Sequence, residues 1–357
     1  MRSTEDQPTS KKLKVSAASD KPLIVAVIGY TGGVGKCLLA AMDKIGLKPF
    51  ALVRSTSMRI GYGVETDVNV DYHELASCLI KEANRQGGVA VMADVTASSD
   101  LQTTYYKSWL DQGISVCTAN KGIFAGPEKD YMDLLSSVSP SVKLLHEATV
   151  GAGLPVLGTL SNLKASSHEI LKVEGVLSGT LAYVLGAVAG GKKTLSQAVL
   201  EAKDLGYTEP DPRLDLSGMD VARKAVILAR LSGLTGIELT SLDIESMVPE
   251  SLKDCSVEDF LTGLPAFDDA FAARVKEVES SPGRRLHYAA KIDLVEQKVT
   301  VGPFPAEAGH PFNNAGPDNL ISITTNFYNP RPLVIQGAGA GGDVTATGVL
   351  VDILHCK

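Results

Sequence analysis

Leu23-Ile24-Val25-Ala26-Val27-Ile28 runs directly into Gly29-Tyr30-Thr31-Gly32-Gly33-Val34-Gly35, and apolar residues then recur at Val34, Leu38, Ala41 and Ile45. No other feature narrows the fold as much. A β-rich run with no polar alternation reads as a strand buried on both faces, as parallel strands are. The later recurrence, every third or fourth residue, reads as one face of a helix. Glycines between the two allow a tight turn and let phosphates approach the backbone at the helix N-terminus. Together these are the opening of a doubly wound α/β sheet that binds a dinucleotide, and Gly29, Thr31, Gly32, Gly33, Val34 and Gly35 are the candidate contacts. The spacing is G-x-x-G-x-x-G, one residue longer than G-x-G-x-x-G. A P-loop is excluded: Tyr30 stands where its first glycine belongs, and Cys37 replaces the Ser or Thr after Gly35-Lys36.

The alternation continues. Pro49 to Val53, Val89 to Val95, Ser115 to Thr118 and Val142 to Leu145 read as further strands, with helical segments between them. Such alternation implies βαβ crossovers and a parallel sheet. After about Ala148 the pattern changes. Val150 to Pro155 is Gly-rich and leads into helical spacing. Strand-like runs then fall at Ile170 to Leu177, Leu286 to Val295, Lys298 to Val301 and Asn319 to Asn326. Helices are expected at Ala182 to Ala189, Leu195 to Leu205, Met219 to Leu231 and Val257 to Val278. Pro332 to Gln336 reads as one more strand, and Gly337 to Gly342 opens a last helix, Val344 to Leu354. The expected class is α/β: a Rossmann-type doubly wound nucleotide domain over 21–150, an α+β domain with a mixed sheet over 151–331, and a segment, 332–357, returning to the nucleotide domain.

A chain of 357 residues exceeds one simple core and fits two domains. Its formal net charge of -7 argues against nucleic acid as the main partner, since phosphate binding draws on clustered Lys and Arg. No apolar run is long enough to span a bilayer as a helix. The five cysteines, Cys37, Cys78, Cys117, Cys255 and Cys356, are odd in number and form no C-x-x-C pair. Neither a disulfide framework nor a zinc site is expected, and a reducing compartment, the cytoplasm, fits. His146, His168, His287, His310 and His355 are scattered and lack ligand spacing. Residues 1–20 are polar and aperiodic, a solvated disordered tail. Its Lys11-Lys12-Leu13-Lys14-Val15 run faintly suggests nuclear import, and Glu5 and Asp6 argue against a mitochondrial leader. Nucleus and plastid are the alternatives to the cytoplasm.

The second strand ends at Val53-Arg54-Ser55-Thr56-Ser57. An NAD site usually has Asp or Glu here for the ribose hydroxyls. Arg54 followed by three hydroxyls suits a 2′-phosphate instead, so NADP(H) is expected over NAD(H). The plainer alternative is a solvated loop arginine.

Carboxylates and a lysine crowd the middle of the chain. Glu209, Asp211, Asp215, Asp220 and Lys224 fall in one loop-to-helix segment whose Pro and Gly restrict the backbone. Asp220 and Lys224 are one helical turn apart. Spacing alone favours a surface salt bridge worth at most about 1 kcal/mol. In a cleft, however, the same set would offer carboxylates to a cationic group and a lysine to accept a proton.

The run Ala202-Lys203-Asp204-Leu205-Gly206-Tyr207-Thr208-Glu209-Pro210-Asp211-Pro212-Arg213-Leu214-Asp215-Leu216-Ser217-Gly218-Met219-Asp220-Val221-Ala222-Arg223-Lys224 resembles the signature segment of homoserine dehydrogenases. Ala119-Asn120-Lys121-Gly122, Glu147-Ala148-Thr149-Val150-Gly151-Ala152-Gly153-Leu154-Pro155, Leu177-Ser178-Gly179-Thr180 and Gln336-Gly337-Ala338-Gly339-Ala340-Gly341 agree in the family's order. The resemblance runs from about Leu23 to Lys357; the lengthened glycine loop departs from it. It implies interconversion of L-homoserine and L-aspartate 4-semialdehyde with NAD(P), in threonine, methionine and isoleucine biosynthesis. It also implies a central region for catalysis and homodimerisation, with neither an aspartokinase part nor an appended regulatory domain expected. By the same resemblance Lys224 and Lys121 are catalytic, and Gly206, Glu209, Asp215 and Asp220 bind substrate. Lys121, Thr96 and Gly341 contact the cofactor. Glu147 with the carbonyls of Val150, Ala152 and Leu154 holds a monovalent cation, sodium. Two lysines at one site are expected to lower each other's pKa, as a lysine base requires.

Two rivals stand beside this. A related semialdehyde dehydrogenase, such as aspartate semialdehyde dehydrogenase, needs a nucleophilic Cys near a His. Cys117 lies in a strand-like run before Ala119-Asn120-Lys121, the wrong context for one. The other rival is an NADPH-binding sensor without catalysis, against which the intact Glu209, Asp220, Lys224 and Lys121 set argues.

Overall fold

The computed structural model describes residues 21–64 and 66–357; the tail expected over 1–20 lies outside the described residues. The first sheet contains β1 (Leu23–Ile28), β2 (Ala51–Val53), β3 (Met58–Ile60), β4 (Val89–Asp94), β5 (Ser115–Thr118) and β6 (Leu144–Leu145), in the order β3-β2-β1-β4-β5-β6. β1 lies at its centre with every residue buried, as its unbroken apolar run requires. Five strands are parallel, but β3 is antiparallel to β2. The reason is length: 54–57 can close a hairpin but not a crossover.

Helices cover both faces of this sheet. Leu75, Ala76 and Leu79 of α2 (Tyr72–Gln86) join the core beneath Ile24, Ala26 and Ile28. On the other face Val25 and Val27 meet Leu38 and Met42 of the helix α1 (Gly33–Lys44). Beside α1 lies the last helix, labelled α7 (Gly342–His355), which contributes Ala346, Val349, Leu350 and Ile353. Each large aliphatic side chain buried this way stabilises the fold by about 1.5–3 kcal/mol.

The second sheet is mixed. It contains β7 (Ile170–Val176), β8 (Asp243–Ile244), β9 (Arg285–Asp293), β10 (Lys298–Ala306), β11 (Asn319–Thr325) and β12 (Leu333–Gly337), in the order β12-β11-β7-β9-β10-β8. Only β8 and β10 pair in parallel. Register places Val301, Ala290, Gly175, Ile321 and Ile335 in one row across the sheet. That face joins the core formed with α4 (Gly179–Val188), α5 (Leu195–Asp204) and α6 (Met219–Ser232). A further helix, α3 (Leu157–Ala165), packs beside α6. The neighbouring row, Thr300, Lys291, Glu174, Ser322 and Val334, points the other way.

Three expectations need correction. The segment 332–357 does not return whole to the nucleotide domain, because β12 hydrogen-bonds to β11 in the second sheet and the return begins with α7. The helix expected from Val257 to Val278 is broken at Leu264–Phe267, where Pro265 has no N–H to give. The strand expected to end at Val301 continues to Ala306 despite Pro303 and Pro305.

Asp352 sits on the inner side of α7, 4% exposed, and accepts the Glu147 backbone N–H at 2.9 Å. Burial pushes its carboxyl up to about 8; the Glu147 carboxylate adds to the rise and the Glu147 N–H opposes it. Between the ordinary carboxylate value and about 8, the folded chain holds a proton that the unfolded chain has lost, so stability falls as pH rises through that window. Asp352→Asn keeps an acceptor for Glu147 and cannot ionise. Its melting temperature should come closest to wild type near pH 4, exceed it by a growing margin as pH rises toward 8, and stay above it at pH 9; equal melting temperatures at pH 9 would contradict this account.

Candidate active site

At the carboxyl ends of β1 and β4 the chain leaves a crevice, the usual ligand position in a doubly wound sheet. Its first part, about 700 Å³, is lined by Gly29, Thr31, Gly32, Arg54, Thr96 and Tyr105, among others. The second, about 770 Å³, is lined by Val34, Lys121, Glu209, Asp220, Lys224 and Gly341, among others. The two adjoin along Val95, Thr96 and Ala97.

The longer glycine loop is absorbed by a turn. Gly29, at φ +87, takes the bond from the Gly32 N–H at 3.1 Å, and the Gly32 carbonyl then starts α1 by accepting from Lys36. A Cβ on Gly35 would lie 2.3 Å from the Gly29 carbonyl oxygen, so no larger residue fits there. The first turn of α1 has no side-chain cap and no acidic residue. Its free N–H groups face the same end of the crevice and fit a pyrophosphate. Gly342 begins α7 against Gly33 and Cys37, so the two helix starts abut.

Arg54 lines the first cavity, as the sequence led us to expect. Its Nη2 pairs with Asp67 at 2.6 Å and its Nε bonds Ser57 Oγ at 2.6 Å; Asp67 also pairs with Arg59. Ser57 is buried and donates to Asp67, so the third hydroxyl is used within the protein. Ser55 lines the cavity. Tyr72 and Tyr105 also line it and were not singled out from sequence, because aromatics in helices read as core.

Lys121 and Lys224 meet in the second cavity. Gly218, at φ +73, starts α6, and a Cβ there would strike the Tyr288 hydroxyl at 1.9 Å; this close approach seats the helix on β9. Lys224 follows on the buried side, with its side chain only 10% exposed. Its Nζ donates to the Leu177 carbonyl at 2.6 Å and pairs with Asp220 at 2.9 Å. Asp220 is half exposed and also meets Lys121 Nζ at 3.4 Å. The pair is therefore not a surface salt bridge. Burial is the main cause that lowers the Lys224 pKa; Asp220 opposes it and the Lys121 charge adds to it. Like-charge repulsion thus acts in the expected direction but behind desolvation. For Asp220 burial acts upward, yet the two ammonium groups hold its carboxyl below the ordinary range.

The signature segment supplies the rim. Arg213 grips Asp211 and the carbonyls of Lys253 and Cys255, which fixes the loop. Asp215 accepts the Glu209 N–H at 2.8 Å and the Thr180 hydroxyl at 3.1 Å, so much of its capacity is internal. Glu209 is exposed on the cleft. Gly206 does not line the cleft; at φ +73 it ends α5, a position that needs the left-handed conformation.

The Glu147 side chain is taken up by a helix start. Its carboxylate accepts from Leu157 N at 2.6 Å and Gly158 N at 2.8 Å, capping α3. Ala152, at φ +55, lines the cleft, whereas Leu154 packs toward Gly151 and Gly337. Among the described residues no group of three or more His, Cys, Asp and Glu is placed to hold a metal. Cys117 is fully buried beside Cys356, with Sγ atoms 3.5 Å apart, and burial pushes its thiol up, the opposite of what an acyl-transfer nucleophile needs.

Among the described residues no helix is long and apolar enough to cross a membrane. The homoserine dehydrogenase family model matches residues 155–354. A homoserine dehydrogenase of Schizosaccharomyces pombe is 43% identical over 74% of this chain and 72% of its own length. The chloroplastic bifunctional aspartokinase/homoserine dehydrogenase 1 of Zea mays is 45% identical over 74% of this chain, but the match spans only 29% of that longer protein. Among solved structures, a Candida auris protein of unknown function is 34% identical with a TM-score of 0.87, over 94% of this chain and 98% of that one. With a Rossmann-type nucleotide domain, a second domain built on a mixed sheet and matches of this extent, the chain belongs to the homoserine dehydrogenase family.

Proposed function

We propose that the chain catalyses L-homoserine + NADP⁺ ⇌ L-aspartate 4-semialdehyde + NADPH + H⁺, serving threonine, methionine and isoleucine synthesis in the cytoplasm. The observation that carries this is Lys224, a buried amine of lowered pKa that opens on the cleft. When bound, the nicotinamide accepts or returns the hydride. The neutral Lys224 amine has two N–H groups for the Leu177 carbonyl and Asp220, which leaves its lone pair for the substrate hydroxyl proton. Asp220 then stabilises the ammonium that forms. Lys121 pairs with Asp220 from the other side of the cleft and orients it. Glu209 offers its carboxylate to the substrate ammonium. By the family resemblance Gly206 and Asp215 belong to the substrate-binding set, and Glu147 with the carbonyls of Val150, Ala152 and Leu154 would hold a sodium ion. The preference for NADPH rests on Arg54 at the cavity edge. A homodimer is supported by the family resemblance and the mixed sheet of the second domain.

Each element has its test. Lys224→Met should lower homoserine-dependent NADP⁺ reduction by about 10²–10⁴, with NADPH affinity little changed. Retention of more than about a tenth of the wild-type kcat would reject the proton-transfer role. Arg54→Ala should raise the KM for NADPH far more than that for NADH; equal changes would remove Arg54 from the 2′-phosphate site. Light scattering at micromolar concentration should give twice the chain mass, and an active monomer would refute the dimer.

A further inference from the structure

Lys121 lies in the loop after β5, at the start of the short helical turn Gly122–Ala125, and a long side chain on a loop keeps its place only if the backbone on both sides is held. One side chain from elsewhere in the fold holds both. Gln102, 1% exposed, accepts the Ile123 N–H at Oε1, 2.8 Å away, and donates from Nε2 to the Asn120 carbonyl at 3.0 Å. A Cβ on Gly122 would lie 2.2 Å from Gln102 Oε1, so the loop is pressed against the amide itself. Asn120 closes the loop from within: its Oδ1 accepts the Gly122 N–H and its Nδ2 donates to the Ser98 carbonyl.

Gln102 begins a π-helical turn, Gln102–Tyr106, a feature often found at functional sites. At the other end of the turn the Tyr106 hydroxyl donates to Asp94 Oδ2 at 2.7 Å, and Asp94 Oδ1 accepts the Thr96 N–H at 2.8 Å. The same turn thus sets both Thr96, where the two cavities meet, and the lysine loop.

We infer that Gln102 is a positioning residue for Lys121: its amide fixes where the Lys121 ammonium meets Asp220, and through that the charge around Lys224. The inference rests on the reading that this cleft turns over homoserine. It is a statement about geometry at the reacting centre, and it differs from a role in stability by acting only through Lys121.

A double-variant cycle separates the two. Homoserine-dependent NADP⁺ reduction is measured for wild type, Gln102→Met, Lys121→Met and the combination, with pH profiles. Gln102→Met should lower kcat by about tenfold or more, and the combined variant should be no slower than Lys121→Met alone. Because the Lys121 charge lowers the Lys224 pKa, both single variants should move the acid limb of the kcat profile to higher pH. Losses that multiply in the combined variant, or an unmoved acid limb in Gln102→Met, overturn the inference. If Gln102→Met does not fold, Gln102→Asn, too short to reach both backbone groups, goes through the same cycle with the same outcomes. A wild-type chain without homoserine turnover overturns the functional reading and this inference with it. That result is distinct from multiplicative losses, which require an active wild type.

Discussion

A charged amine held almost out of water constrains much of this molecule. Moving an ammonium group from water into protein costs several kcal/mol unless it is paired and hydrogen-bonded. Lys224 meets that condition with one carbonyl and one carboxylate, and each comes from a place the fold must hold still. The Leu177 carbonyl lies just past the end of β7, so α6 must sit against that end of the sheet. Asp220 lies one turn back on α6 and reaches water on its other side, where Lys121 arrives from the first domain. Asp220 therefore links the two domains across the cleft, between Lys224 and Lys121.

The position of the cleft follows from the two sheets. One contributes strand ends and uncapped helix starts, which favour anionic groups. The other contributes the rim of carboxylates and the buried lysine. A long substrate pair, anionic at one end and cationic at the other, matches that division of charge.

Much of this was legible in the sequence, and the exceptions have physical causes. β1 and α1 could be read because their apolar patterns have unambiguous periods, and α6 because its pattern is long. The i,i+4 relation of Asp220 and Lys224 was visible, but not that the lysine points inward, since spacing gives the face and not what covers it. The sheet that β12 joins was not legible, because a five-residue strand carries no sign of its partner. The order β3-β2 hides a hairpin for the same reason. The Gln102 amide left no local signal, because its bonds go to Asn120 and Ile123, distant in sequence. Arg54 could be singled out by its place after a strand, but not its partner Asp67, since the pairing arises from the way β3 folds back.

The packing of α7 beside α1 has a consequence for biosynthesis. As the chain leaves the ribosome, β1, α1 and β4 are made early, yet the face formed by Val25, Val27, Leu38 and Met42 has no complete cover until Val349 and Ile353 arrive. The cofactor-binding half therefore cannot finish folding as an independent unit during synthesis, even though it comes first. Its apolar face must be shielded while the whole second domain is translated, and a nascent chain arrested before Gly342 would expose that face to chaperones and proteases.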